Sequence, residues 1–423
     1  MADFIDYLDW RGDLGFDSAA FNDVDSLILS DLSYIPFGSI VSPSSQGVSL
    51  AQAGEAFLAE HPVDEKKERN NVPALLEKAI KTKRFSQLIL SDSINIFDAE
   101  NATQFSCIAF TLPNNRVYIA FRGTDGTLVG WKEDFNMSFM DVTPSQIYAA
   151  RYIDEHFFAS DKRLLLGGHS KGGNLAVYAA MNCSSVVKNR IEHVWSLDGP
   201  GFRHEVVTSP AYIETAEKCT LIVPERTVFG LILETDMPTK VIKSSEVSIL
   251  QHDPFSWQVS GGSFVETEDI AWRSKFWDRA MSTWIDTFDP DQRKEFFDAF
   301  FDIISAPNAD TVAGLYKSKL ATINFARKAF KQLPEENQAT LKSVFAYVAG
   351  TGKDFLGTAL PRLLRDKNET DRPENIEIRP KTEKPPKSEK KEKPPKQEKK
   401  DKTEKPEKAK KQRKPVEDTE KPA

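Results

Sequence analysis

The sequence predicts an α/β protein built on a mostly parallel sheet, and three observations predict it. Stretches of strand and helix character alternate between residues 104 and 244. The run Leu164-Leu165-Leu166-Gly167-Gly168 is apolar throughout, as a strand buried on both faces requires. It is followed by Gly172–Met181, a helical stretch rich in small residues. With 423 residues, 40% of them hydrophobic, the chain is long enough to bury a sizeable core.

Taken in order, Ser26–Tyr34 and Ala74–Thr82 space their apolar residues as amphipathic helices do. Gln104–Leu112 and Arg116–Phe121 are β-rich runs flanking Pro113-Asn114-Asn115, which signals a hairpin. Pro144–Phe158 returns to helical spacing and precedes the apolar strand at 164–168. His193–Leu197 reads as a further strand ending at Asp198-Gly199-Pro200-Gly201, and Lys218–Val223 and Lys240–Ser244 complete the set. Alternation of this kind implies helices on both faces of the sheet. From about Ile270 to Leu364 the pattern is helical and aromatic-rich, as in Arg293–Ile304, whose phenylalanines are read as core. The expected organisation is a main domain over 1–262 including N-terminal helices, a helical appendage over 263–366, and a tail over 367–423.

Composition narrows the class. The net charge of −7 averages two unlike parts. Residues 381–423 carry 17 Lys and Arg against 10 Asp and Glu, a net of +7, and residues 1–380 carry 39 against 53, a net of −14. The tail is Lys/Glu/Pro-rich and poor in apolar residues, so it cannot offset the entropy of ordering and is expected to be disordered. Weak association of this basic tail with anionic surfaces is one expectation, and no specific nucleic acid is implied. Cys107, Cys183 and Cys219 show neither a disulfide framework nor ligand spacing for zinc, so no metal is expected. The acidic Met1–Asp6 lacks the basic and apolar regions of a signal peptide, and no apolar run approaches the ~20 residues of a membrane span. A cytoplasmic location is the resulting expectation.

Gly168-His169-Ser170-Lys171-Gly172 matches G-x-S-x-G between a strand and a helix, the setting of a nucleophile elbow. Such an elbow exposes the serine at the carboxyl end of a sheet and beside a helix N-terminus, where developing negative charge is stabilised. It specifies an α/β-hydrolase fold and makes Ser170 the candidate nucleophile. Among six histidines, His252 lies in a loop after the last strand, where the base of this fold belongs, with His204 as the other candidate. His169 adjoins Ser170 and is expected to point away. For the acid, Asp198 ends the strand after the nucleophile helix, Glu225 ends the next one, and Asp236 is a third choice. Thr124 in Ala120-Phe121-Arg122-Gly123-Thr124 is expected to supply N–H and hydroxyl to an oxyanion, with the N–H of Lys171 as second donor.

These segments, together with Trp131-Lys132-Glu133-Asp134, resemble the class 3 (fungal-type) lipase family of α/β-hydrolases over about residues 85 to 255. The body as a whole resembles a bacterial branch of that superfamily, through Asp6–Asp13, His169–Asn174 and His252–Trp257. The resemblance implies Ser170 as nucleophile, Thr124 as oxyanion residue and His252 as base. It departs at the acid: class 3 lipases place an Asp before Val-Pro where this chain reads Pro224-Glu225-Arg226-Thr227-Val228, and an acid at Asp198 resembles the pancreatic-lipase arrangement instead. The expected activity is cofactor-free hydrolysis of a small-molecule or lipid ester or thioester through an acyl-enzyme. A second reading is a binding or scaffold protein on a degenerate hydrolase fold, working through its basic tail.

Overall fold

In the computed structural model, eight strands pair in the order in which they occur along the chain. Residues 2–268 are described, apart from 42–46, 64–70, 126–127, 138–139 and 228. The tail and nearly all of the expected helical appendage lie outside the described residues. The strands are β1 (Val48–Ser49), β2 (Ile89–Asp98), β3 (Thr103–Leu112), β4 (Arg116–Phe121), β5 (Arg163–His169), β6 (Ile191–Leu197), β7 (Cys219–Pro224) and β8 (Thr239–Ile242). From β1 to β4 the pairing is antiparallel, and the four pairings from β4 to β8 are parallel.

Helices α1 (Phe4–Arg11), α2 (Asp23–Leu32), α3 (Leu50–Glu60) and α4 (Val72–Ala79) come before β2. Helices α5 (Leu128–Asn136) and α6 (Pro144–Phe157) join β4 to β5, and α7 (Lys171–Asn182) and the short α8 (Ser185–Lys188) join β5 to β6. The short α9 (His204–Val207) and α10 (Pro210–Ala216) join β6 to β7.

Sequential parallel strands with right-handed crossovers carry all their crossover helices on one face. Alternate strand residues divide accordingly. Val117, Ile119, Phe121, Leu164, Leu166, Leu221 and Val223 pack with α6, α7 and α10 in one core. Tyr118, Ala120, Leu165, Trp195, Leu197 and Ile222 pack with α1 to α4 in another. Both faces are thus covered, as the alternation implied, but the second covering comes from the N-terminal helices and not from crossovers.

Two local features depart from simple patterning. Strand β2 has no clean period-2 signal because a bulge between Ser91 and Ile94, with Asp92 at φ 53°, shifts its register against β3. After β8, β9 (Val259–Ser260) pairs with β10 (Ser263–Phe264), and Thr267 N–H donates to Val241 O at 2.8 Å. The body therefore continues through the expected break at 262. The hairpin turn carries Asn114 and Asn115 at φ 62° and 57°, left-handed positions that Asn tolerates. Cys107, Cys183 and Cys219 are buried and free.

The N-terminal layer is clamped by a buried ion pair. Arg84 Nε donates to Asp25 Oδ1 at 2.7 Å and Nη2 to Oδ2 at 2.5 Å. Its remaining donors reach the carbonyls of Leu14, Ala19 and Ala20 at 2.9–3.0 Å, so all five guanidinium protons are satisfied. Tyr7 of α1 donates to the same Asp25 at 2.8 Å. Layer and sheet are then joined by Ser26 and Ser30, each 2.8 Å from the Tyr118 hydroxyl, and by Trp195 Nε1 donating to Asp23 at 2.8 Å. Replacing Arg84 by Met strands the Asp25 carboxylate away from water. The expected cost in urea unfolding is about 3–5 kcal/mol.

Candidate active site

Strand β5 runs into Ser170, which caps α7 at φ 58° and ψ −130°. A non-glycine residue held there stores roughly 1–3 kcal/mol of strain, tolerated because the surroundings over-determine it. Strand and helix cross too closely for side chains beside the serine. A Cβ on Gly168 would lie 2.3 Å from the Gly172 carbonyl carbon, and one on Gly172 would lie 2.0 Å from Phe121 O. Ser170 N–H is held by Leu197 O at 2.9 Å, and the serine itself is half-buried at the carboxyl edge of the sheet. Helix α7 begins at the next residue, so its first N–H groups, which have no partner within the helix, surround this point.

The loop after β8 brings His252 to Asp198. His252 Nδ1 lies 2.7 Å from Asp198 Oδ2, and the carboxylate can only accept, so Nδ1 is the donor of this pair and Nε2 is the ring nitrogen turned from it. Asp198, at the end of β6, is fully buried and stands at φ 48°. Its other oxygen accepts from the Thr227 hydroxyl and from Gly230 N–H at 3.1 Å. Three donors thus hold the carboxylate in one orientation. Phe229 stacks on the His252 ring at 4.0 Å between centroids, and His169 lies 4.5 Å away on centroids.

His169 does turn away from Ser170, but toward the His252 loop. Its Nε2 donates to His252 O at 2.9 Å. Burial, with the His252 ring beside it, pulls its pKa well below the usual value, so it serves as a neutral donor. Gln251 fastens the same loop by accepting Arg226 N–H at 2.9 Å and donating to Glu246 O at 2.7 Å, and Trp257 Nε1 donates to Gln251 O at 2.8 Å.

On the opposite side of the elbow, Thr124 follows β4. Its hydroxyl, expected to face an oxyanion, donates to Asp134 Oδ2 at 2.5 Å, which fixes the segment. Beneath it, the Lys171 side chain is fully buried and donates to Glu133 Oε2 at 2.9 Å, Gln104 O at 2.7 Å and Gln104 Oε1 at 3.1 Å. Glu133 also accepts Gln104 N–H and Ser145 N–H, each at 3.0 Å. This network ties α5, which carries Asp134, to the first residue of α7. The side chain of Lys171 is therefore structural, whatever its N–H does.

The other candidates lie elsewhere. Glu225 is 3.9 Å from Arg226, the exposed Asp236 donates its N–H to the Tyr212 hydroxyl at 3.2 Å, and His204 pairs with Glu234 on the surface at 2.9 Å. His156 meets Asp92 and His193 meets Thr220, both at 3.0 Å. Thr227, Gln251 and Glu133 were not singled out from the sequence, because each acts through partners 25 to 38 positions away. Among the described residues, no cluster of three or more His, Cys, Asp or Glu could hold a metal.

A family model described as Mbeg1-like matches residues 79–302, just over half of the chain. No curated protein matches it. Among solved structures, the Rhizomucor miehei lipase propeptide complex is 12% identical, with 56% of this chain and 68% of that chain covered and a TM-score of 0.33. A lipase from Rhizopus microsporus var. chinensis is 16% identical, covering 48% and 82%, at 0.30. Lip2 lipase from Yarrowia lipolytica is 13% identical, covering 62% and 96%, also at 0.30. At these scores the likeness carries no weight of its own, and the fold rests on the strand order and the elbow.

Burial lifts the Asp134 carboxyl from its usual 3.8 to about 6, with the Glu133 charge adding to the rise and Lys171, Thr124 and His252 opposing it. A raised carboxyl pKa contributes stability that is complete below about pH 4 and is lost as pH rises through about 6. Relative to Asp134→Asn, the wild-type protein should therefore lose on the order of 2 kcal/mol between pH 4 and pH 7. Urea unfolding of both proteins across that range measures it.

Proposed function

The chain belongs to the Mbeg1-like family, and on that premise we propose that it is a serine hydrolase that cleaves carboxylic esters. The observation that carries the reading is the pairing of Asp198 with His252 at 2.7 Å, in a loop fastened to the residue before an elbow serine at φ 58°. Ester chemistry is also what the family's lipase-like relationship supports. Small-molecule and lipid esters, and thioesters, all suit the same machinery.

In this mechanism His252 Nε2 takes the Ser170 proton as Oγ attacks the acyl carbonyl. The negative charge that forms on the carbonyl oxygen is met by the N–H groups of Lys171 and Thr124. Collapse expels the alcohol, protonated by His252, and leaves the acyl group on Ser170. Water then attacks that acyl group with His252 again as base, releasing the acid and restoring the serine. Asp198 holds the tautomer that keeps Nε2 available and stabilises the imidazolium; it need not take a proton itself. Thr227 and Gly230 keep Asp198 directed at His252. A neutral residue at 198 loses both functions.

A fluorophosphonate probe should label the folded protein, and Ser170→Ala should abolish that labelling; equal labelling of the variant overturns the assignment. With a p-nitrophenyl ester as substrate, Asp198→Asn should lower kcat by on the order of 10⁴. Thr227→Val, which removes one hydrogen bond behind the acid, should cost about tenfold.

A further inference from the structure

The residues that fasten the acid have a neighbour that touches the base. Thr227 and Gly230 both donate to Asp198, and Gly230 N–H also reaches Thr227 Oγ1 at 3.0 Å. Phe229, next to Gly230, lays its ring on His252 with 4.0 Å between centroids and 30° between planes. The His169 ring lies 4.5 Å from the same imidazole at 34°. Two rings at these distances cannot share one face, so His252 is held between them. His169 is itself fixed, by its bond to His252 O at 2.9 Å and by an edge contact with Trp257 at 5.9 Å between centroids. This slot meets a need that hydrogen bonding leaves open. Among the described residues, Asp198 is the one hydrogen-bond partner of the His252 ring, and a single bond at Nδ1 lets the ring swing about it. The torsion that sets the ring plane is broad in histidine. A swing carries Nε2 away from Ser170, and a misplacement of about 1 Å can cost ~10²-fold in rate.

We propose that Phe229 is a positioning residue of the hydrolase site: its flat face, opposite His169, holds the His252 imidazole in the plane that turns Nε2 toward Ser170. The inference rests on the hydrolase reading above and adds to it a residue that acts only through His252. The same face suits the imidazolium that forms each time His252 takes the serine proton, because an aromatic face attracts a cation. Flatness is the property required. An aliphatic side chain of similar volume fills the space without supporting the ring plane, whereas tyrosine keeps the face. Phe229 is half-buried, so neither exchange empties a position in the core. The acid keeps its donors in both cases, since Thr227 and Gly230 are untouched.

Phe229→Leu and Phe229→Tyr in the full-length protein separate face from volume. With a p-nitrophenyl ester, Phe229→Leu should lower kcat about tenfold and leave KM within about twofold of the native value, while Phe229→Tyr should keep kcat within about twofold. A second readout needs no turnover. The Nδ1 proton of His252, bonded to Asp198, gives a far-downfield proton resonance; it should broaden through exchange with water in Phe229→Leu and persist in Phe229→Tyr. Native kcat in Phe229→Leu, a loss confined to KM, an unchanged resonance in Phe229→Leu, or a Phe229→Tyr variant as impaired as Phe229→Leu would each overturn the proposal. If Phe229→Leu does not fold, Phe229→Met makes the same comparison. If the native protein neither hydrolyses the ester nor reacts with the fluorophosphonate probe, the hydrolase reading fails, and the resonance alone decides whether Phe229 holds the ring.

Discussion

Winding a parallel sheet in one direction leaves its second face without crossover helices, and an apolar face cannot remain in water. That constraint organises this protein. Strands β4 to β8 send their connections to one side, so the residues ahead of β2 form the other layer. The layer is not held by apolar contact alone. Arg84 and Asp25 gather α1, α2 and the loop at 14–20 around one fully hydrogen-bonded buried pair, and Asp23, Ser26 and Ser30 fasten α2 to the sheet. A desolvated ion pair adds little net stability when complete, but it penalises any arrangement that separates its partners. Here it selects one seating of the N-terminal layer.

The same logic recurs around the elbow. Glu133 and Lys171 form a second buried pair, which joins the helix carrying Asp134 to the first residue of α7. Asp198 is fully buried and receives three donors. His169, uncharged in its buried place, binds the carbonyl of His252. Rigid polar attachments of this kind suit a site whose groups must stay aligned within fractions of an ångström. The strained Ser170 backbone is sustained by the same framework, since Gly168 and Gly172 allow β4, β5 and α7 to approach so closely.

Most of the sheet was legible in the chain because its elements carry strong local signals. The apolar run at 164–168, the hairpin around Asn114-Asn115 and the small-residue helix after Ser170 are each explained by their own composition. Strand β2 was missed because a bulge at Asp92 breaks its alternation. The choice between Asp198 and Glu225 was open for a different reason. Both end strands at the same sheet edge, and only the path of the loop at 243–258 decides which one meets the histidine. The contact of the Thr124 hydroxyl with Asp134 could not be read from the sequence, because Asp134 reaches it from a helix that the buried Lys171–Glu133 pair ties to α7.

By itself, then, the sequence determined the α/β class, the elbow serine and the histidine loop, since turn chemistry and strand–helix alternation are written in neighbouring residues. Tertiary structure decided which carboxylate faces His252 and what covers the second face of the sheet. Each of these depends on residues far apart in the chain being brought together in a low-dielectric interior, where a buried charge or polar group must find a partner, and no local pattern records which partner that will be.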